Sequence, residues 1–204
     1  MPRRVGILAY GSLIDDPEIE IENATVETLA DGIVTPFKIE FARASETRNG
    51  GPTLVPVQRG GAAVSARIIV LNEEISEADA ADMLWRRETR SVGTGKIYSS
   101  NPDPGPNTVV VERLKNFYGV DTVIYTRIAA NIKPLTPERL ARYAIGSVLA
   151  SSAGRDGISY LMAAKRNGVL TPLSDRYEEQ INAQLDARDL AHALEKARAG
   201  GRMA

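Results

Sequence analysis

The sequence predicts an α+β fold in which a curled, mostly antiparallel sheet or small barrel occupies the first two-thirds of the chain and helices occupy the last third. Three observations carry this. Short β-rich runs separated by glycine turns recur from Val5 to Ala129. Helical spacing interrupts them clearly once, from Ser76. Beyond Thr136, helix start and stop signals follow one another to the end of the chain. At 204 residues the protein is long enough to bury a proper core, and no repeat or linker splits it. It is therefore read as one domain, 1–204, with a helical C-terminal extension from about residue 136.

The elements follow in order. Val5-Gly6-Ile7-Leu8-Ala9 is short, aliphatic and uncharged, the composition of a strand buried on both faces. It stops in Tyr10-Gly11-Ser12-Leu13, where Gly11, lacking a Cβ, lets the backbone approach a ligand and lets neighbouring N–H groups point at an oxyanion or carboxylate. The same residues also fit an ordinary glycine turn after a first strand. Residues 15–20 are acidic and broken by Pro17, which suits a surface loop or one helical turn; no His or further carboxylate completes a metal-ligand set. β character returns at 25–29, at 32–34 and at 37–41, where Phe37, Ile39 and Phe41 alternate onto one face. Asn49-Gly50-Gly51-Pro52 and Gly60-Gly61 bracket a strand at 53–57, and a long apolar strand is expected over 64–71.

Ser76 and Asp79 form a capping-box-like start to a helix that runs to about Arg90. Its apolar positions Ala81, Leu84 and Trp85 fall at helical spacing, and the next position in that series is Glu88. Strands are expected again at 95–98, 108–114 and 120–129, the first two joined by a proline-rich segment over 99–107 that fits a mobile lid or, more simply, a long connection. Thr136-Pro137-Glu138 supplies an N-cap, a first-turn proline and an early acid to a helix with Leu140, Tyr143, Ala144, Ser147 and Val148 as its inner stripe. A second helix runs from about 158 to 167 and stops at Gly168. A third starts at Ser174 with Tyr177, Ile181 and Leu185 as anchors, and residues 197–204 are expected to fray.

Composition excludes several function classes. Lys+Arg 25 against Asp+Glu 26 gives a net charge of −1, without the concentrated positive surface that nucleic-acid binding needs. The absence of cysteine removes disulfides, thiolate nucleophiles and Cys-ligated metals together, and fits a reducing cytosol. The N-terminal apolar run is too short for a signal peptide or a membrane span, so a cytoplasmic protein with no membrane partner is expected. No oligomeric state is read from the sequence.

Glu88 is the first candidate for chemistry. A carboxylate on an apolar helical stripe is either desolvated, which raises a carboxyl pKa toward the range a general acid or base needs, or paired with Arg86, Arg87, Arg90 or a distant arginine. Other chemistries fail on their residues. Gly93-Thr94-Gly95-Lys96 lacks the first glycine of a phosphate loop and has Ile97 where Ser or Thr would hold magnesium. Ser12 lacks the Gly-x-Ser-x-Gly frame, and His192, the one histidine, lies in a charged terminal helix, so a Ser-His-Asp triad does not form. One His and no Cys argue against catalytic zinc or iron. What remains is metal-free acid/base chemistry. Arg43, Ser45 and Arg48 have two readings: they hold a substrate carboxylate, or they brace the sheet.

Tyr10-Gly11-Ser12-Leu13 after a buried first strand, Phe41 to Arg48 leading into Gly51-Pro52-Thr53-Leu54-Val55-Pro56, and Leu84-Trp85-Arg86-Arg87-Glu88 together resemble the γ-glutamylcyclotransferase-like superfamily, its ChaC-like branch in particular. Gly157-Ile158-Ser159-Tyr160-Leu161 and Asn167-Gly168-Val169 resemble that branch too. After Glu88 this chain has Thr89-Arg90-Ser91, where many members continue Gly-Tyr or carry a Tyr soon after. The resemblance implies a small mixed, mostly antiparallel β-barrel surrounded by helices, enclosing a pocket for a γ-glutamyl group. It implies backbone donors from Tyr10, Gly11, Ser12 and Leu13, a catalytic carboxylate at Glu88 and a pocket tyrosine at Tyr125. It further implies release of 5-oxoproline from a small γ-glutamyl amine, dipeptide or glutathione, with neither metal nor organic cofactor. The alternatives are a catalytically silent member of the fold that binds a metabolite or a protein, and a hydrolase or amidotransferase using the same pocket.

Overall fold

The structure is a computed structural model, described for residues 3–149 and 154–200. Seven strands and six α-helices are found among these residues. They are β1 (Val5–Ala9), α1 (Ile19–Ala24), β2 (Thr25–Leu29), β3 (Ile39–Ser45), β4 (Gly51–Pro56), β5 (Arg67–Leu71), α2 (Glu77–Glu88), β6 (Val110–Phe117), β7 (Val120–Arg127), α3 (Pro137–Leu149), α4 (Gly157–Arg166), α5 (Ser174–Leu185) and α6 (Leu190–Gly200). They fall into two compact units between which the chain passes three times. The first unit takes the described residues up to Thr35 together with Ser65–Ala129; the second takes Pro36–Val64 and the described residues from Ala130 on.

The first unit is built on a five-stranded sheet of order β2-β5-β1-β7-β6. Every neighbouring pair is antiparallel except β1 and β7, which run parallel with Ile7 opposite Ile124. β1 is therefore central, and all five of its residues are buried, as its unbroken apolar run requires. Val5, Ile7, Ala9, Ile69, Leu71, Val111 and Ile124 form one core cluster with Ile21 and Ala24 of α1 and Ala80, Ala81 and Leu84 of α2. β6 and β7 turn through Tyr118 and Gly119, both with left-handed φ (48° and 78°), the pairing that matches the twist of a tight hairpin.

The sheet is mixed and mostly antiparallel, but no hydrogen-bonded barrel closes. β2 pairs with β5 and β6 with β7, so β2 and β6 are edges, while β3 and β4 form a separate two-stranded ladder in the second unit. The strand expected at 95–98 is also absent. The Tyr98 N–H donates to Asp82 Oδ1 of α2 at 2.7 Å, so a helix side chain takes the backbone donor that a ladder would have used.

In the second unit Phe41 packs edge-on to Tyr160 and Tyr177, at centroid distances of 6.2 and 5.4 Å. The alternation expected over 37–41 holds for Ile39 and Phe41, but Phe37 precedes the strand and Glu40, on the other face, is fully buried too. On α3, Ala141 is buried where Tyr143 was expected, and Tyr143 is 40% exposed. α4 packs closely on the buried face of α3, where a Cβ built on Gly157 would stand 2.8 Å from Ala144 Cα. Fraying from residue 197 is not seen as far as Gly200; α6 continues and Ala197 is buried. Positions 201–204 of that expectation lie outside the described residues.

Candidate functional site

The first unit holds the Tyr10–Leu13 turn, Glu88 and Tyr125. Tyr10 continues the extended backbone of β1 (φ −140°, ψ 145°), and Gly11 then opens a 3-10 turn over Gly11–Ile14. Gly11 takes φ 72°, which a residue with a Cβ adopts at a steric cost. Asp15 and Asp16 both donate their N–H groups to the Ser12 carbonyl, closing the turn behind it. The leading N–H groups of such a turn have no intrahelical acceptor.

Glu88 owes its place to the two ends of α2. At the start, Ser76 Oγ accepts from the Asp79 N–H at 3.1 Å while Asp79 Oδ2 accepts from the Ser76 N–H at 3.3 Å, a complete capping box. At the end, the Ser91 N–H reaches the Arg86 carbonyl at 2.8 Å and the Arg90 N–H reaches the Arg87 carbonyl at 3.3 Å. With Arg90 left-handed (φ 54°), this is a Schellman closure that uses arginine where glycine is usual. Glu88 becomes the last helical residue, at the end of the face whose Ala81 and Leu84 enter the core. A helix C-terminus opposes a negative charge, so a carboxylate there calls for a countercharge.

Arg87 supplies it. Its Nη1 donates to Glu88 Oε1 at 2.7 Å, its Nη2 donates to Ser12 Oγ at 3.2 Å, and Nε and Nη2 both donate to the Asp16 carbonyl at 3.1 and 2.6 Å. The Arg87 side chain is 10% exposed and that of Glu88 26%. Of the two readings of Glu88, pairing is the one observed for Oε1. Arg86 braces the neighbouring segment by an ion pair to Glu20 at 2.8 Å, whose other oxygen accepts from the Gly93 N–H at 2.7 Å. Burial pushes the Glu20 carboxyl up, but the Gly93 N–H and the Arg86 guanidinium together outweigh it and hold the carboxyl below its ordinary value.

Tyr125 lies on β7, beside β1 in parallel register. Because Ile124 belongs to the core cluster with α2, the pleat turns Tyr125 to the opposite face of the sheet. Tyr10, one residue past the core-facing Ala9, turns to that same face, and its Oη donates to the Thr126 carbonyl at 2.7 Å. Burial, aided by Glu112 and opposed by Arg127, raises the Tyr125 phenol above its ordinary value. The turn thus straddles the end of the sheet: Tyr10 shares a face with Tyr125, while Leu13 enters the core on the α2 side and Ser12 is tied to Arg87.

Arg43, Ser45 and Arg48 belong to the second unit. Burial pulls the Arg43 guanidinium below its ordinary value, opposed by Glu46. Ser45 Oγ and Thr47 Oγ1 are 2.9 Å apart, and the Arg48 guanidinium lies over the Tyr160 ring at 4.4 Å. Arg87 is among the arginines that the sequence offers as partners for Glu88, but its reach to Ser12 and the Asp16 carbonyl left no mark there, because those partners lie 75 and 71 positions away.

Among the described residues no cluster of three or more His, Cys, Asp or Glu is arranged to hold a metal ion, and no helix is long and apolar enough to cross a membrane. No family model matches the chain, and no curated protein matches it. Among solved structures, the chain is similar to a crystal structure of a yeast γ-glutamyl cyclotransferase specific to glutathione, at 13% identity, with 98% of each chain covered and a TM-score of 0.46.

Proposed function

We propose that this protein is a γ-glutamylcyclotransferase-type enzyme that releases 5-oxoproline from a small γ-glutamyl compound. The observation that carries the reading is the hydrogen-bonded group in which Arg87 joins Glu88 to Ser12, uniting a shielded carboxylate with a glycine-bearing turn at the end of the central strand. In the reaction, the α-amine of the substrate attacks its own side-chain amide carbonyl. A C–N bond forms in a five-membered ring, the old amide C–N bond breaks, and the amine leaves. Glu88 takes the proton from the attacking amine and returns it to the departing one. The N–H groups at the head of the 10–13 turn stabilise the oxyanion. Because attack is intramolecular, holding the glutamyl chain curled supplies much of the acceleration. No step requires a metal or an organic cofactor.

The experiment is incubation with γ-glutamyl amino acids, a γ-glutamyl amine and glutathione, with mass-spectrometric detection of products. 5-Oxoproline from the wild type, and its loss in Glu88→Gln, support the reading. Free glutamate in its place indicates a hydrolase. Binding without turnover indicates a silent member of the fold.

A further inference from the structure

Arginine carries five N–H donors and no acceptor, so every oxygen bonded to Arg87 acts as an acceptor there. Four of its five N–H groups are engaged: two meet at the Asp16 carbonyl, one goes to Ser12 Oγ and one to Glu88 Oε1. A side chain so occupied, and 10% exposed, is poorly placed to serve as the clamp for a substrate carboxylate. Its bonds do something more specific to the two groups they reach. Ser12 Oγ accepts from Arg87, and among the described residues its hydroxyl donates to no group, so the proton is left to point away from the guanidinium. Glu88 Oε1 is likewise tied, and Oε2 accepts from no described residue.

We propose that Arg87 is the positioning residue of the site: by anchoring on the Asp16 carbonyl it holds Glu88 with Oε2 as the proton-accepting oxygen and sets the Ser12 hydroxyl as a hydrogen-bond donor to the substrate's oxyanion. This rests on the cyclising reading given above. Arg87 itself exchanges no proton and touches no reacting atom; it fixes which oxygen of each partner does. The planar fork is what the task needs, because a lysine ammonium spans one of these acceptors as a point charge and cannot hold all three in one plane.

The test measures kcat and KM for 5-oxoproline release in Arg87→Ala, Arg87→Lys, Ser12→Ala and the Arg87→Ala/Ser12→Ala pair, each alongside its melting curve. Arg87→Ala is expected to lower kcat by about 100-fold, the size of effect seen when one oriented donor is lost, with KM moved far less. Added guanidinium ion is expected to restore part of kcat, and Arg87→Lys to stay well below wild type at an unchanged melting temperature. The double variant is expected to be little worse than Arg87→Ala, because the Ser12 donor is already unset without the guanidinium. Should Arg87→Ala fail to fold, Arg87→Lys and Ser12→Ala carry the test by the same readouts. A folded Arg87→Lys with wild-type kcat, or strictly additive losses in the pair, would overturn this proposal while leaving the cyclising reading intact. A wild type that makes no 5-oxoproline overturns both.

Discussion

Glu88, at the end of the apolar face of α2, and Glu40, in the buried strand β3, differ in what surrounds them. Glu88 of the first unit is paired with a guanidinium and keeps 26% of its side chain open. Glu40 of the second unit is fully buried and is held by neutral donors: the Thr171 hydroxyl at 2.5 Å, the Phe41 N–H at 2.9 Å and the Leu173 N–H at 3.3 Å. Leu173 is the N-cap residue of α5, so Glu40 closes off a helix start from the neighbouring strand. Burial raises the Glu40 pKa, and the three hydrogen bonds pull it back in part. The comparison teaches that burial by itself marks structure; a carboxylate that can do chemistry must also be reachable and must have one oxygen left for the substrate.

The largest effect that sharpens this contrast is on turnover. Glu88→Gln is expected to lower 5-oxoproline release by about 10²–10⁴-fold with a nearly unchanged melting temperature, read by product mass spectrometry and thermal unfolding. Glu40→Ala should give the reverse pattern. It takes the acceptor from the Thr171, Phe41 and Leu173 donors, two of them in buried bonds and Thr171 left with only the Ser174 hydroxyl, so a loss of about 2–3 kcal/mol is expected in denaturant unfolding, with turnover of the folded fraction retained. If instead Glu40→Ala abolished turnover while Glu88→Gln spared it, the assignment of roles would be inverted.

Smaller effects test the packing around Glu40's unit. A Cβ on Gly157 would stand 2.8 Å from Ala144 Cα and from Pro52 Cδ, and one on Gly51 would stand 2.7 Å from the Gly157 N. Gly157→Ala should therefore cost about 1–3 kcal/mol, as overpacking of a tight contact does. The pH dependence follows from the raised Glu40 pKa. A folded-state value above the unfolded one means that the folded protein binds more protons, so this group's stabilisation is full below the unfolded value and is lost as pH rises through the folded one. The stability of wild type minus that of Glu40→Gln should thus fall as pH rises from about 4.3, the unperturbed Glu value; a flat difference would break the account. The smallest change is Tyr177→Phe. The Tyr177 hydroxyl is buried without a hydrogen-bond partner among the described residues, so its removal should be neutral or stabilising within about 1 kcal/mol.

Much of the local structure was legible in the residues. The buried strand at Val5–Ala9, the Ser76–Asp79 capping box, the Thr136 cap of α3 and the stop at Gly168 (φ 70°) all follow from neighbours a few positions apart. Features decided by distant residues were not. The Phe37-Ile39-Phe41 alternation gave no sign that Glu40's face is covered, because its cover comes from Thr171 and Leu173, about 130 positions further on. The division into two units left no linker to find, since each unit is assembled from two separated segments. At the candidate site, the turn, Glu88 and a set of candidate arginine partners could be singled out from composition and spacing, but not which arginine pairs with Glu88 or that it also reaches Ser12.

The sequence by itself determined several starts and stops, among them the Val5–Ala9 strand, the Ser76 cap of α2 and the Gly168 stop, because caps, turn glycines and apolar periodicity act over one or two turns of chain. Tertiary structure alone decided which edges stay open, which carboxylate is sealed and which is shielded but reachable, and which arginine spans Glu88 and Ser12. Those outcomes depend on hydrogen-bond partners brought together across 75 and 131 positions, a separation no local pattern encodes.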